Sequence, residues 1–469
     1  MLSLCGAYSC ASRSIKRQVR ITDRSYNQTT MNVYEAAMQR IELIFKDFDN
    51  VLVAFSCGKD SGVLLNLAYK YAKENDLLHK LSIYYEDYEA GYKYTDEYAD
   101  RTFAAMHDVA NRYWLCLPIS AACSVSMYEP RWIPWDADKK GIWVRPMPKY
   151  DYVVNEHNAP FKFVKGTKGF DTRIMFAEWF AQTHGNTAVL IGLRAEESFT
   201  RRAIFTSQHR RYMHKGLNYS KVIDNLTCNF YPIYDWQTED IWICNAKFEF
   251  DYNKIYDLYY QAGLTIDMMR VASPFHLSGQ ENLKLYRAID PHNWGRMIGR
   301  VNGCNFGGIY GGTSAMGWRN ITKPAHFTWK QYAEFLISTL PTDTKKNFLY
   351  HLNRFQESWE TKGYGRNPRV IKAMLDAGIE LENTKEISKL CTKPDVYEIV
   401  KIKSGFPDEH NIHHNFRICP SWKSVCITIM KNDWGLTYMS CSRTTDKNLL
   451  KKAGLTRYNN IQELKKLMK

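Results

Sequence analysis

Six small or charged residues follow an apolar stretch near the start of the chain: Ser56, Cys57, Gly58, Lys59, Asp60 and Ser61. Lys59 supplies a point charge, Gly58 lets a ligand approach the backbone closely, and the two serine hydroxyls can donate to phosphate oxygens. If the loop opens a helix, free N–H groups and the helix dipole also favour an anion. Asp60 would repel phosphate unless it caps the helix or helps to hold Mg²⁺. These residue types predict a phosphate site; a turn that simply caps a helix is the alternative.

The spacing excludes the common P-loop. That motif requires the pattern G-x-x-x-x-G-K-[ST]. Here Val53 stands at the position of the first glycine, and Asp60 follows Lys59. The Gly-Lys pair must therefore belong to a different kind of anion-binding loop.

The elements around the loop alternate as a parallel sheet requires. Residues 51–55 form a short apolar run that is typical of a buried strand, residues 62–75 show helical periodicity, and residues 81–85 form a second apolar run. Further predicted elements are helices at 33–48, 95–113 and 171–184 and strands at 114–119 and 188–194. Strands that alternate with helices predict an α/β fold with a doubly wound, mostly parallel sheet.

Three motifs carry a resemblance to a known family. The loop SCGKDS resembles the S-x-G-K-D-S motif of the PP-loop ATP-pyrophosphatase (adenine nucleotide alpha hydrolase-like) superfamily. Within it, IGLRAEESFTRR (191–202) and YPIYDWQTEDIW (231–242) resemble segments of the phosphoadenosine phosphosulfate (PAPS) reductase family. Longer stretches, including YYEDYEAGYKYT and CPSWKSVCITIMKNDW, are similar to the immunoglobulin-binding regulator A-like (DUF3440-type) members, which are often encoded beside a ParB-like protein.

The resemblance implies a set of site residues. The nucleotide-binding residues would be Ser56, Cys57, Gly58, Lys59, Asp60, Ser61, Asp87, Glu89, Gly192, Arg194, Ser198, Arg201 and Arg202. Lys59 and Arg194 would be catalytic, and Asp60 would help to bind Mg²⁺. Arg194 could instead form a surface salt bridge, and Asp87 and Glu89 could belong to a solvated acidic loop. Cys57 occupies the variable position of the motif, so we expect its N–H to matter more than its thiol.

Three parts are predicted along the chain. Residues 1–30 lack a continuous apolar core, and we expect a disordered extension or a misassigned start. Residues 31–250 would form the PP-loop nucleotide-binding domain, and residues 251–469 a mainly helical accessory region. Within the latter, Thr328 and Gln331 match a capping box that opens a helix. No stretch has the roughly 18 apolar residues that span a bilayer, so we expect a soluble, cytoplasmic protein.

The cysteines depart from the reductase pattern. True PAPS reductases carry a C-terminal Glu-Cys-Gly-type nucleophile, which this sequence lacks. Cys419, Cys426 and Cys441 have no such context, and their spacing matches no recognised metal or cluster motif. Whether they bind a metal stays open at this point, and sulfonucleotide reduction becomes the alternative function.

The expected function is therefore the cleavage of ATP, with Mg²⁺, to AMP and pyrophosphate, with adenylylation of an acceptor. Sulfate and nucleic acid are both candidate acceptors, and PAPS is a possible ligand. The formal net charge of +14 mildly favours nucleic acid. Lys162, Lys165 and Lys168 could face a polyanion or only water. A third possibility is a non-catalytic nucleotide-binding regulator that acts with a ParB-like partner.

Overall fold

The computed structural model describes residues 31–206, 213–318, 321–388, 397–412, 419–439 and 441. The prediction for residues 1–30 lies outside these ranges. None of the helices in the described ranges is long and apolar enough to cross a membrane.

A seven-stranded sheet forms the centre of the N-terminal part. Its strands are β1 (Asn50–Phe55), β2 (Leu81–Glu86), β3 (Asn111–Leu115), β6 (Val153–Val154), β7 (Thr187–Ile191), β8 (Ser220–Val222) and β9 (Thr227–Phe230). The order across the sheet is β6-β3-β2-β1-β7-β9-β8, and β8 alone of these strands runs antiparallel to its neighbour. Strand β1 lies between β2 and β7, with Phe55 opposite Tyr85 and Val51 opposite Ala188. The chain thus winds outward from β1 in both directions.

Helices cover both faces of this sheet. They are α1 (Val33–Asp47), α2 (Lys59–Glu74), α3 (Lys93–Ala105), α4 (Gly169–His184) and α6 (Thr238–Phe248), whereas α5 (Phe199–Thr206) follows β7 and is not part of these two layers. Alternate residues of β1 point to opposite faces: Val53 packs in the cluster that contains α1, α2 and α3, whereas Leu52 packs with α4. Because β1 is apolar at both sets of positions, it can be covered on both sides. The predicted doubly wound α/β fold is confirmed.

One helix boundary differs from the prediction. Periodicity predicts a helix at 95–113, but α3 ends at Ala105 and residues from Asn111 onward form β3. Asn111 lies opposite Ser82 and Trp114 lies opposite Tyr85 in the parallel ladder with β2. Pairing with β2 therefore overrides the local helical pattern at the end of this segment.

The C-terminal part is mainly helical, as predicted. Its helices are α7 (Ile255–Gln261), α8 (Tyr286–Ile289), α9 (Pro291–Arg300), α10 (Cys304–Tyr310), α11 (Trp329–Ser338), α12 (Thr342–Thr361), α13 (Pro368–Asp376) and α14 (Trp422–Met430). The capping box of Thr328 and Gln331 opens α11. A three-stranded antiparallel sheet, which the sequence analysis did not predict, joins β10 (Tyr364–Arg366), β12 (Glu398–Ile402) and β11 (Leu381–Ile387).

The segment after residue 250 packs directly against the first part. Tyr92, Trp132, Tyr256 and Tyr286 share one hydrophobic cluster, and the Tyr92 and Tyr286 rings stack with centroids 3.6 Å apart. A short hairpin of β4 (Ala121–Ala122) and β5 (Arg131–Trp132) contributes to this cluster. The Tyr256 hydroxyl, in α7, also accepts from the Lys59 N–H, so α7 contributes to the surroundings of the loop at 56–61. The predicted boundary near residue 250 stays a prediction.

Candidate phosphate-binding site

The loop of residues 56–61 connects β1 to α2 at the carboxyl edge of the sheet. Ser56 and Ser61 hydroxyl oxygens lie 2.9 Å apart, and the Ser61 hydroxyl donates to the Gly58 carbonyl oxygen over 3.1 Å. Cys57 has a left-handed backbone with φ 57°. These contacts fold the loop into a tight turn that aims the first N–H groups of α2 at the sheet edge.

Lys59 is held in a buried setting at the start of α2. Its side chain is 8% exposed, and its Nζ lies 3.2 Å from an Asp60 carboxylate oxygen. Burial lowers the pKa of Lys59, the nearby Asp60 charge opposes this shift, and Arg194 and Arg270 add to it. The Lys59 N–H donates to the Tyr256 hydroxyl oxygen over 3.0 Å, so α7 caps the helix that the loop begins.

Arg194 follows β7 and reaches the same loop. Its Nε lies 2.5 Å from the second Asp60 carboxylate oxygen, and its guanidinium also contacts Glu196 at 2.9 Å. It also donates to the Thr238 hydroxyl at 3.2 Å. The side chain is 2% exposed. The structure thus joins all three sequence motifs. The salt bridge that was the alternative for Arg194 is present with Glu196, but the Arg194 side chain is buried, whereas Glu196 is 44% exposed.

Gly192 allows this approach. A Cβ atom at this position would lie 2.8 Å from the Ser61 backbone nitrogen and 2.9 Å from the Asp60 carbonyl carbon. Contacts that close to backbone atoms cannot be relieved by turning a side chain. A glycine is therefore required where β7 ends against the start of α2.

Asp60 binds two cations at once. One carboxylate oxygen faces Arg194 and the other faces Lys59. As arranged here, the carboxylate is occupied by the two cations, and a role in binding Mg²⁺ stays a prediction. In the described part of the chain, no group of three or more His, Cys, Asp or Glu residues is arranged to hold a metal ion.

Arg201 lies at the rim of the same site. It forms an ion pair with Glu197, and burial lowers its pKa, as do the nearby charges of Arg270 and Arg194. On the Lys59–Arg194 side of the loop the charged groups are the cations Lys59, Arg194, Arg201 and Arg270 and the anions Asp60, Glu196 and Glu197. Cations outnumber anions by one on this side, whereas Asp87, Asp96 and Arg145 act on Cys57.

Ser198 and Arg202 lie on the exposed side of this segment. The Ser198 hydroxyl oxygen accepts from the Arg201 N–H over 3.2 Å, and the Arg202 N–H donates to the Ser198 carbonyl oxygen over 2.9 Å. Both residues are exposed. They start α5 beside the loop, and a direct contact with a nucleotide stays a prediction.

Asp87 and Glu89 are buried in internal networks. The Asp87 carboxylate accepts from the Trp114 indole N–H over 2.7 Å and pairs with Arg145 at 2.5 Å. The Glu89 carboxylate forms a two-pronged ion pair with Arg300, at 2.7 and 3.0 Å. Neither carboxylate lies in a solvated loop. Each buried carboxylate has its charge balanced by an internal arginine. The predicted contact of these residues with ribose or adenine stays a prediction.

Trp236 and Asp240, in the third motif, make internal contacts. The Trp236 indole N–H donates to the Val33 carbonyl oxygen over 3.1 Å, and the ring is buried. The Asp240 carboxylate accepts from the Gln237 N–H over 2.7 Å at the start of α6. Together they fix the third motif against α1, where it supports Arg194.

Sequence reasoning missed Tyr256, Asn253 and Arg270. Asn253 is fully buried, and its amide donates to the Cys57 carbonyl oxygen over 3.1 Å, which fixes the left-handed turn. Tyr256 and Asn253 follow their partners in the loop by 197 and 196 positions, and Arg270 lies further along the chain. No local spacing links them to the loop, so the fold alone reveals their role.

Eight of the nine cysteines in the described part of the chain are buried. Burial raises the pKa of Cys57 well above its usual range, and it raises those of Cys419 and Cys426 to about 12. Cys441 is partly buried, and burial raises its pKa as well. A thiolate is the reactive form of cysteine, so none of these four residues is set up as a nucleophile.

Two segments of the chain match models of known protein families, and the chain as a whole is similar to one known protein. Residues 142–263 match the model described as "Phosphoadenosine phosphosulfate reductase domain", and residues 263–449 match "Domain of unknown function (DUF3440)". Over 423 residues the chain is 30% identical to "Uncharacterized protein YbdN" of Escherichia coli (strain K12), covering 89% of this chain and 92% of that protein. The first matched segment contains Gly192 and Arg194 and does not include the loop at 56–61.

Two solved structures are also similar. One is a PAPS reductase from Candida auris in a phosphate complex, with 13% identity, 51% of this chain and 88% of that chain covered, and a TM-score of 0.27. The other is an FMN adenylyltransferase from Candida glabrata, with 14% identity, 51% and 61% covered, and a TM-score of 0.23. In both cases the likeness concerns about half of this chain.

Proposed function

The chain belongs to the family in which a phosphoadenosine phosphosulfate reductase domain is joined to the DUF3440 domain, and from this premise we propose that it is a nucleotide-binding enzyme of the PP-loop kind. It binds ATP at residues 56–61 and breaks the bond between the α- and β-phosphates. The adenylyl group passes to an oxygen of an acceptor, and pyrophosphate leaves; a hydroxyl acceptor also releases its proton, whereas the sulfate dianion has none to release. The acceptor is sulfate or a nucleic acid.

The pairing of Lys59 and Arg194 across Asp60 is the observation that carries this proposal. Two cations from different strand ends meet over the start of a 16-residue helix, at the point where the sheet order reverses. Open α/β sheets bind ligands in the crevice at this point. Arg194 also pairs with Glu196, so the surplus positive charge on this side of the loop comes from Arg270, which acts on both Lys59 and Arg201. This surplus favours a polyanionic ligand.

Phosphate oxygens can replace the Asp60 carboxylate as the partner of both cations. Burial removes water from the charged Lys59 amine and makes its charge costly, and this cost lowers the pKa of Lys59. A bound pyrophosphate group would stabilise the charged form, and so would the N–H groups at the start of α2. Lys59 and Arg194 then neutralise charge that develops on the leaving pyrophosphate, which is the main work of a phosphoryl or nucleotidyl transferase.

The donor set fits Mg²⁺ that arrives with the nucleotide rather than a resident ion. Mg²⁺ is commonly bound by one or two carboxylates together with substrate phosphates, and it keeps several waters. Asp60 is the carboxylate within the loop, and it becomes available when Lys59 and Arg194 turn to phosphate. When bound, the ion would add further neutralisation of phosphate charge.

Thiol-dependent reduction of PAPS is the alternative that the family name suggests. It needs a reactive thiolate near the nucleotide. Cys57 is the thiol within the loop, and it is buried behind the backbone with a raised pKa. The buried thiols therefore favour ATP cleavage over reduction.

The test is to identify the products by mass spectrometry. The protein is incubated with ATP and Mg²⁺, separately with sulfate and with an oligonucleotide, and we expect pyrophosphate together with AMP or an adenylylated acceptor. Lys59→Ala should lower product formation by about 100-fold or more. Lys73→Ala, near the far end of the same helix, is the matched control and should keep full activity.

Three results would contradict the proposal. Formation of ADP would indicate cleavage at the wrong bond. Tight ATP binding without turnover in any arm would indicate a regulatory protein, and purification with a ParB-like partner would support that role. Release of sulfite from PAPS that depends on an added thiol would indicate a reductase.

A further inference from the structure

Helix α12 presents an exposed stripe of basic and aromatic side chains. Lys346, Tyr350 and Arg354 follow one another at intervals of four residues, so they lie on the same side of the helix, and all three are exposed. The Tyr350 side chain is 55% exposed, and the Arg354 guanidinium lies 5.7 Å from the centre of its ring. The stripe extends over about 12 Å, because a helix rises about 1.5 Å per residue.

Basic groups from two other elements lie near this stripe. Arg131 follows Met127, whose carbonyl oxygen accepts from Thr344 of α12, and it donates to Ser120, which is bridged to Lys168. His351, beside the stripe, is partly buried, and this burial lowers its pKa. The charges of Lys168, Arg354 and Arg131 lower the pKa further. Each of these three charges is positive, which indicates a concentrated positive potential around His351.

We use the name basic–aromatic face for one set of residues: Arg131, Lys168, Lys346, Tyr350 and Arg354. Lys165 is not included, because its amine is held by Asp136 and Asp138.

The basic–aromatic face lies at the same edge of the central sheet as the loop at 56–61. Lys168 immediately precedes α4, which leads into the parallel strand β7, so the helix begins at the carboxyl edge. Lys168 is also bridged to Ser120, which follows β3. Strand β3 is two strands away from β1, so the carboxyl end of β3 lies about 10 Å from the carboxyl end of β1.

Further exposed aromatic side chains surround this position. Tyr128 is 59% exposed and Phe170 is 48% exposed. The segment that carries Tyr128 is tied to α12, because the Thr344 hydroxyl donates to the Met127 carbonyl oxygen over 2.7 Å. Aromatic rings presented beside Lys and Arg are the arrangement on which unpaired bases stack while their phosphates are neutralised.

We propose that the basic–aromatic face binds single-stranded nucleic acid and presents it to the loop as the acceptor. This inference rests on the proposed function and chooses between its two acceptors. Sulfate is a single small anion and would use one compact pocket, whereas the basic side chains of the basic–aromatic face are distributed over a helix and two neighbouring elements. The exposed rings favour a single strand, because the bases of a duplex are already stacked on one another.

Fluorescence anisotropy without ATP tests this binding directly. The full chain is titrated against labelled single-stranded DNA and RNA of one sequence, and against the matching duplex. We expect the single strands to bind at least about tenfold more tightly than the duplex. The difference in affinity between the single-stranded DNA and the single-stranded RNA shows whether deoxyribose or ribose is preferred.

Two variants test the face itself. Tyr350→Ala should weaken single-strand binding by about 5- to 100-fold through the loss of stacking. Arg354→Glu should weaken it by about tenfold or more and make the dependence on salt less steep. Lys73→Glu is the matched charge reversal, because it lies about 21 Å along α2 from the loop, and it should change affinity less than twofold. Thermal unfolding confirms that each variant is folded.

The outcomes separate this inference from the proposed function. Lys59→Ala should bind the single strand normally while it fails to cleave ATP. Affinity that is unchanged in both Tyr350→Ala and Arg354→Glu would overturn the inference, as would equal binding of the duplex. ATP cleavage that is stimulated by sulfate but not by the oligonucleotide would also overturn it, while leaving the proposed function intact.

Discussion

Gly192 lies directly against Ser61, so the end of β7 and the start of α2 are in backbone contact. A Cβ atom on Gly192 would be 2.8 Å from the Ser61 nitrogen. This contact places Arg194, two residues later, within reach of Asp60. The geometry of the two cations therefore depends on the absence of one side chain.

Replacing Gly192 with alanine should separate these elements. We expect Gly192→Ala to lower the free energy of unfolding by about 1–3 kcal/mol, because backbone atoms must move to accept the methyl group. Nucleotide affinity should fall as well, since the loop shifts relative to Arg194. Gly91→Ala is the control, because its added Cβ meets nothing within 4 Å. Urea unfolding and ATP titration measure the two effects, and a Gly192→Ala protein with normal stability would contradict the close contact.

Cys57 should be replaceable by glycine. Its φ of 57° is a conformation that glycine adopts without the steric cost of a side chain, about 1–2 kcal/mol. That gain should offset the loss of the buried thiol, so we expect Cys57→Gly to keep ATP-dependent activity and to change stability by less than about 1 kcal/mol. Cys57→Val should lose about 2 kcal/mol or more, since a β-branched side chain is disfavoured in this region. Loss of activity in Cys57→Gly with retained folding would indicate a chemical role for the thiol.

The loop, its strand and its helix could be predicted because their signals lie within a few adjacent residues. The three motifs and the Thr328 capping box are of this kind. Contacts between distant residues carry no such signal: Lys59 and Tyr256 are 197 positions apart, and Glu89 and Arg300 are 211 apart. The sequence therefore predicted that Lys59 serves an anion site, but it could not predict that α7 caps the loop or that Glu89 is buried.

The Glu89–Arg300 pair should be essential for stability. Both side chains are about 1% exposed or less, and Glu89 also accepts from the Trp135 and Val144 N–H groups. Glu89→Gln leaves the Arg300 charge without its partner, so we expect a loss of about 3–5 kcal/mol in urea unfolding. The double variant Glu89→Leu with Arg300→Leu should recover part of that loss, because no buried charge remains. If Glu89→Gln keeps full stability and loses nucleotide affinity, Glu89 has the ligand role that the resemblance implies.

Lys431 should make stability depend on pH. Its side chain is buried beside the Trp318 ring, and burial lowers its pKa to about 8. In the unfolded chain the amine keeps its proton up to about pH 10.4. The unfolded state therefore binds more protons between these values, and the free energy of unfolding rises with pH across that window. Below about pH 8 the folded state bears the full cost of the buried charge.

Lys431→Met removes this cost. We expect the variant to be about 1–3 kcal/mol more stable than the natural chain at pH 7, and the difference should shrink towards pH 10. Urea unfolding of both proteins at pH 7, 8, 9 and 10 measures it. Lys372→Met, on the exposed side of α13, should show no such trend. A difference that stays constant with pH would show that Lys431 keeps an ordinary pKa.

Tyr256 should link the segment after residue 250 to the loop. Its hydroxyl oxygen accepts from the Lys59 N–H at 3.0 Å, and its ring lies 5.9 Å from the Lys59 amine. Tyr256→Phe removes the acceptor and leaves the ring, so we expect a loss of about 1–3 kcal/mol in stability and a weaker affinity for ATP. Tyr260→Phe, on the exposed side of the same helix, is the control and should change neither quantity. If residues 31–250 alone bind ATP as tightly as the full chain, the contribution of Tyr256 to the site is refuted, and residue 250 is a true domain boundary.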